Sequence, residues 1–126
     1  MATPEGIIKN QICNMLMRQP DLEYWMSSSQ GTYDPGRGVF RKMASPHQKR
    51  GVGDITICLQ VLGVGCFVSL EVKAPKGRQS DHQRIFEANI KQKSGAYFIV
   101  RSVEDALMAL HDARVSFREK ILLAKC

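Results

Sequence analysis

The chain has no apolar run approaching the ~20 residues that a membrane-spanning helix needs. Its opening residues, MATPEGIIKN, lack the basic-then-apolar layout of a secretory leader. These absences lead us to expect a cytoplasmic protein. The four cysteines, Cys13, Cys58, Cys66 and Cys126, lie far apart with no C-x-x-C pair. A short turn cannot wrap zinc without closely spaced ligands, so a zinc knuckle is excluded. Cys58 and Cys66 sit in apolar segments, where a reduced thiol behaves as a small hydrophobe. There is no internal repeat and no linker-like stretch, and 126 residues suit a single domain spanning 1–126.

What the chain does have is positive charge. Eighteen Lys and Arg against twelve Asp and Glu give +6 at pH 7 and a pI near 9.4. Such a bias favours a polyanionic partner without locating a site. The remaining composition, 44% hydrophobic and 24% charged, is that of a globular domain.

Thr3 as a cap, Pro4 in the first turn, and Ile8, Ile12, Met15 and Leu16 at helical spacing predict a helix over 3–19, stopped by Pro20. Leu22 to Ser28 reads as a strand. Residues 29–38, SQGTYDPGRG, read as loop, and a short extended piece around Val39–Met43 is expected to pair with the preceding strand. A polar, basic loop follows over 45–53. DITICLQVL (54–62) and CFVSLEVK (66–73) are two β-prone runs joined by a short Gly-containing link, which predicts an antiparallel hairpin. Ser80 opens a helix to about Lys93, with Ile85, Phe86 and Ile90 inward and Gly95 as its stop. AYFIV (96–100) is a buried-strand pattern, and Ser102 with Asp105 caps a last helix through about Asp112, with the tail to Cys126 either extending that helix or forming another. Strand, helix and strand over 66–100 form a βαβ unit with parallel strands. The expected class is therefore α/β, an α+β mixed sheet flanked by helices.

The chemistry-bearing residues cluster on the hairpin. Alternation sends Val68, Leu70 and Val72 to one face, and Phe67, Ser69, Glu71 and Lys73 to the other. Asp54 opens the partner strand, beside the end of the strand that carries Glu71. Two neighbouring carboxylates suit a hard divalent ion such as Mg2+ or Mn2+, which activates water and polarises a phosphoryl oxygen. A lysine beside them can stabilise charge developing on the phosphate. The same residues on a solvated face would be an ordinary charge pair, so the pattern alone leaves both readings open.

The wider sequence resembles a known family. Gly51-Val52-Gly53-Asp54 with Ile55, Glu71-Val72-Lys73, Ala74-Pro75-Lys76-Gly77-Arg78 followed by Gln83, Ser94-Gly95-Ala96 and Arg101 to Asp105 are similar, in order, to the VRR-NUC branch of the PD-(D/E)XK nucleases. The resemblance covers about residues 50–107. Gly53 stands where the superfamily motif has proline, a position that ligates nothing. The resemblance implies a restriction-endonuclease-like fold and a Mg2+- or Mn2+-dependent endonuclease that hydrolyses DNA phosphodiester bonds. It further implies selectivity for Holliday junctions or other branched DNA, and a homodimer. Asp54, Glu71 and the backbone carbonyl of Val72 would hold the metal, and Lys73 would be the catalytic lysine. Gln83 would sit near the centre, although Ser80-Asp81-His82-Gln83 also fits a capping box. Glu5 would be a further ligand, although a carboxylate in a first helical turn also complements the helix dipole.

Arg37, Arg41 and Lys42, then Lys49 and Arg50, then Lys76 and Arg78 bracket this centre and are the candidate phosphate contacts. His47 and His82 read as surface residues. Two other readings are a non-catalytic nucleic-acid-binding module and a nuclease subunit that needs a recognition partner. The intact Asp54, Glu71 and Lys73 argue against the first. The short chain leaves little room for base-reading elements, which weakens the second.

Overall fold

The computed structural model describes residues 3–27, 31–42, 47 and 49–125, with backbone only for 31–34 and 39–42. Cys126, most of 43–48, and the side chains of Arg41 and Lys42 therefore lie outside the described residues. The order is α1 (Pro4–Leu16), β1 (Leu22–Met26), β2 (Gly31–Asp34), β3 (Val39–Lys42), β4 (Ile55–Val61), β5 (Val64–Val72), α2 (Asp81–Gln92), β6 (Ala96–Val100) and α3 (Val103–Ala124). This is an α+β arrangement. Among the described residues no helix is long and apolar enough to cross a membrane.

Four strands form a mixed sheet in the order β1-β4-β5-β6. β1 and β4 are antiparallel, as are β4 and β5, while β5 and β6 run parallel across the α2 crossover as expected. The β4–β5 reversal takes two residues, because Val61 pairs with Val64. Leu62 (φ 50°) and Gly63 (φ 79°) are both left-handed, the conformation that a type I′ hairpin turn requires at its two central positions.

Three expectations about the N-terminal half are corrected. The stretch 29–38 is not all loop: Gly31–Asp34 is a strand that pairs with Val39–Lys42 as a separate ribbon around the turn at 35–38. β1 therefore pairs not with the 39–43 segment but with β4, 29 or more residues downstream in sequence at each pair. The hydrophobic residues of β4 need a second neighbour to complete the ladder, and local pattern cannot weigh that long-range pairing against a nearby one. The first helix also stops at Leu16, before Pro20. Arg18 and Gln19 already donate to carbonyls three residues back, the tighter geometry of a helix end.

One face of the sheet carries the core. Ile55, Ile57, Leu59, Val68, Leu70 and Val72 are 0–1% exposed and pack against Ile12 and Leu16 of α1 and Ala106, Leu110 and Ala113 of α3. The small residues of α3 let that helix lie close to the strands. Arg114 of α3 clamps the approach to β1 by a two-pronged bond to Asp21, at 2.8 and 2.9 Å. α3 continues without a break to Ala124, burying Phe117 and half-burying Ile121 while leaving Leu122 and Leu123 exposed.

α2 covers the opposite face, where Phe86 meets Tyr97 of β6 edge-on at 6.0 Å. It buries no residue fully, and Ile85 faces solvent rather than the sheet. Its stop is also built differently from the expectation. Ser94, not Gly95, takes the left-handed position (φ 68°), while a Cβ on Gly95 would come within 2.7 Å of Ile90 Cγ2. Glycine there permits a close approach.

Candidate functional site

The site forms where β4 begins and β5 ends. The β4–β5 ladder closes with Ile55 opposite Leu70, so the next step sets Asp54 opposite Glu71. Residues directly opposite in an antiparallel pair point to the same face. Two carboxylates are thereby held side by side, an arrangement that like-charge repulsion disfavours unless positive charge is supplied nearby.

Asp54 is delivered by two close glycine contacts. Gly51 has a φ of +82°, and a Cβ there would lie 2.2 Å from the carbonyl oxygen of His82. The basic loop therefore rests against the first turn of α2. A Cβ on Gly53 would stand 2.1 Å from Ser69 Oγ and 3.1 Å from the Leu70 carbonyl oxygen. Only a residue without a side chain passes between these neighbours, which accounts for glycine at the position before the aspartate. The Asp54 carbonyl then accepts from Ser27 N at 2.9 Å, fastening this corner to β1.

The side-chain bonds around the pair are specific. Asp54 Oδ2 accepts from the backbone N–H of Val72 at 2.7 Å, and Oδ1 lies 3.2 Å from Lys9 Nζ. Glu71 Oε1 accepts from Gln83 Nε2 at 2.7 Å and lies 3.3 Å from Lys73 Nζ. The other oxygen, Glu71 Oε2, is buried with no hydrogen-bond partner. Burial, followed by the neighbouring Asp54 charge, pushes the Glu71 carboxyl up to about 7, against the opposing pull of Lys73. An acid so placed is poised to lose its proton when positive charge arrives.

Gln83 serves both readings given to it. Its Oε1 accepts from Ser80 N at 2.8 Å, and its backbone N–H donates to Ser80 Oγ at 3.2 Å, which completes a capping box. The same side chain then uses its Nε2 on Glu71. The cap thus orients the amide that holds the carboxylate.

Glu5 approaches from the first turn of α1, with Oε1 3.5 Å from Ala74 N, the residue after Lys73. Among the described residues no three His, Cys, Asp or Glu side chains gather into one group, so Asp54 and Glu71 stand as a pair and Glu5 beside the strand exit. Lys9 is a member of the site that sequence reasoning does not single out. Its only signal is that it follows Glu5 by four residues, placing both on one side of α1. Which strand that side meets is a tertiary fact.

Lys73 is only 13% exposed, and its backbone N–H donates to Val100 O at 3.0 Å. Arg101 then secures the loop that follows, donating from Nη1 to Ala74 O at 2.6 Å and Gly77 O at 3.0 Å. That loop carries Lys76 and Arg78, both exposed. Lys49 and Arg50, also exposed, lead into Gly51 and hence lie near the start of α2. These four basic residues border the Asp54–Glu71 end of the sheet. Arg37 is exposed at the turn of the β2–β3 ribbon, and His47 and His82 are exposed as expected.

Beneath α2 the same face holds two more orphaned polar atoms, Ser69 Oγ and Tyr97 Oη. Ser69 and Tyr97 are register partners across β5 and β6, and burial pushes the Tyr97 phenol up to about 12. No family model matches the chain, and no match to it was found among the curated proteins or the solved structures.

Proposed function

We propose that this chain is a metal-dependent DNA endonuclease of the PD-(D/E)XK type, similar to the VRR-NUC branch, hydrolysing phosphodiester bonds in branched DNA. The observation that carries the reading is the buried Glu71 carboxylate, one oxygen unpartnered, directly opposite Asp54 and flanked by Lys73. An unpaired buried carboxylate oxygen is costly. Its retention is explained when a cation completes it.

The donor set fits Mg2+ or Mn2+, which prefer oxygen ligands and are bound through one or two carboxylates. Asp54 and Glu71 would hold the ion, with the Val72 carbonyl as the resemblance implies and Glu5 as the reserve carboxylate. Bound there, the ion would lower the pKa of a water and polarise the scissile phosphate. The protein's own residues do the rest. Val72 N and Lys9 fix the Asp54 carboxylate, while Gln83 and Lys73 fix Glu71 Oε1 and leave Oε2 free to ligate. Lys73, held by Glu71 and largely shielded from water, is placed to stabilise negative charge developing on the phosphate. Lys49, Arg50, Lys76 and Arg78 would position flanking phosphates, so binding should weaken steeply with salt. A two-fold dimer would supply a second centre for the opposite strand.

Cleavage of a labelled four-way junction, with single-stranded and duplex controls, tests the proposal. Mg2+-dependent cutting should be present in the wild type and lost in Asp54→Asn, Glu71→Gln and Lys73→Met, with circular dichroism unchanged. Full Mg2+-dependent activity in all three variants would sink the assignment.

A further inference from the structure

We propose that Trp25 is a platform on which an unpaired base of the bound nucleic acid stacks, diagonally across the β1–β4 ladder from Asp54. This role rests on the nucleic-acid part of the nuclease reading and adds a subsite to it. Single exposed apolar side chains are ordinary on protein surfaces, so exposure alone gives Trp25 no function; its place does. Trp25 faces Thr56 in the ladder, and Asp54 lies two residues before Thr56. All three therefore stand on one face of the sheet, the face that also carries Glu71. Diagonal neighbours of this kind are about 7–8 Å apart at the backbone, within reach of an aromatic side chain.

α2 closes only part of that face. It packs on β6, where Ser69 and Tyr97 beneath it are buried, and Gln83 carries the cover as far as Glu71. On the β1–β4 side Trp25 is 52% exposed, and Glu23 and Cys58 are also in solvent. Thr56 between them is buried, with Ser27 Oγ 3.1 Å from its hydroxyl. A substrate that approaches the carboxylate pair from this side passes over the indole. The ring is also held still. Tyr24 and Met26 on either side are paired with Ile57 and Ile55, and Ser27 N donates to Asp54 O at 2.9 Å. Met26 is equally exposed but points to the other face, where it lines a cleft with Ile7 and Lys9.

The charge around the indole selects its occupant. Lys49, Arg50, Lys76 and Arg78 border this end of the sheet and attract a phosphate backbone. A phosphate drawn to Asp54 and Glu71 by a bound cation brings its flanking bases over the neighbouring surface. Inside a duplex each base face is already stacked on the next pair, so only an unpaired base offers one to the indole. Glu23 lies on the far side of Trp25 from Asp54, and a base carries no charge for it to repel.

The chain holds one tryptophan, so its emission reports on this position alone. Chelator-treated protein at low salt is titrated with oligothymidylate, with an abasic strand of the same length and with a blunt duplex. Binding is followed in parallel by the anisotropy of a label on the nucleic acid. Oligothymidylate should quench the indole saturably. The abasic strand and the duplex, which present phosphates without a free base face, should bind with the emission nearly unmoved. Trp25→Ala should keep its circular dichroism, since the position is exposed, and lose about tenfold in affinity for oligothymidylate, the worth of one stacked base. Its affinity for the abasic strand should not change, and Trp25→Phe should recover most of the loss. An emission unmoved while oligothymidylate binds would overturn the proposal, as would equal losses for both strands in Trp25→Ala. So would an emission that shifts with protein concentration in the absence of DNA, because another copy would then cover the ring. Mg2+-dependent cleavage with an unmoved indole removes this subsite and leaves the nuclease reading standing; a quenched indole without cleavage does the reverse. No binding to any of the three removes both.

Discussion

Replacing Glu71 by glutamine should make the metal-free protein more stable at alkaline pH while abolishing its catalysis. The carboxyl is raised from 4.5 to about 7, first by burial and then by Asp54. The unfolded chain therefore releases this proton between roughly pH 4.5 and 7 while the folded protein still holds it. Stability falls across that window and levels off above it, where the folded state must carry the buried charge. At ~1.4 kcal/mol per pKa unit, the cost at pH 8.5 is about 3 kcal/mol, an upper value for a carboxyl that also interacts with Asp54. Glutamine preserves the shape and an oxygen for Gln83 Nε2, and adds a donor beside the Asp54 carboxylate. Urea unfolding in chelator should then give similar midpoints near pH 5, with Glu71→Gln ahead by up to that amount at pH 8.5. Carboxylates remote from the site titrate alike in both proteins, so the difference between the two curves isolates residue 71 together with its neighbour Asp54. Millimolar Mg2+ should stabilise the wild type at pH 8, by about 2.7 kcal/mol if present at one hundred times its dissociation constant, and should leave the variant unmoved. Parallel pH profiles, or a variant less stable than the wild type at pH 8.5, would refute the reasoning.

Three further outcomes follow from the same geometry. Gln83→Ala should lose about 1 kcal/mol with its half of the capping box and also lose cleavage activity, whereas Ser80→Ala should lose similar stability in urea melts but retain most activity. Gly53→Ala should destabilise by roughly 1–3 kcal/mol through its 2.1 Å encounter with Ser69 Oγ; a double-mutant cycle with Ser69→Ala, which removes the clashing oxygen, should show that part of the cost is recovered. Arg114 holds the Asp21 carboxyl below the usual carboxylate range, so the bond contributes fully above about pH 4 and is lost as pH falls through the lowered value. Arg114→Met should cost about 1 kcal/mol at pH 7, a partly exposed pair being screened by water, and thermal melts should converge with the wild type towards pH 2.

Much of the fold and of the candidate site is legible in the sequence, and the reason is locality. Asp54, Glu71 and Lys73 can be brought together because alternation and a short hairpin link are short-range facts. The cap at Ser80 and the βαβ crossover are of the same kind. Lys9 escapes such reasoning because its partner, Asp54, lies 45 positions away at the entrance to β4, and the helix sequence does not say which strand it meets. The orphaned oxygens of Ser69 and Tyr97 escape it because alternation alone does not reveal that α2 buries their face of the sheet. The β2 strand is hidden because its neighbours are the glycines and proline that ordinarily mark loops. Gly51 matches the resemblance as a letter and Gly53 departs from the superfamily motif; the crowding that requires both glycines is visible only when α2 and β5 are in place.

The two-residue reversal at Leu62 and Gly63 has a reach out of proportion to its size. In a hairpin the position of the turn fixes a constant sum for every pair of facing residues. Were the same turn to form one residue later, at Gly63 and Val64, Asp54 would face Lys73 instead of Glu71. The carboxylate pair would then become a salt bridge with no use for a cation. The address of the candidate centre is thus written about 24 Å away, seven ladder steps up the sheet, in two left-handed residues that touch none of it.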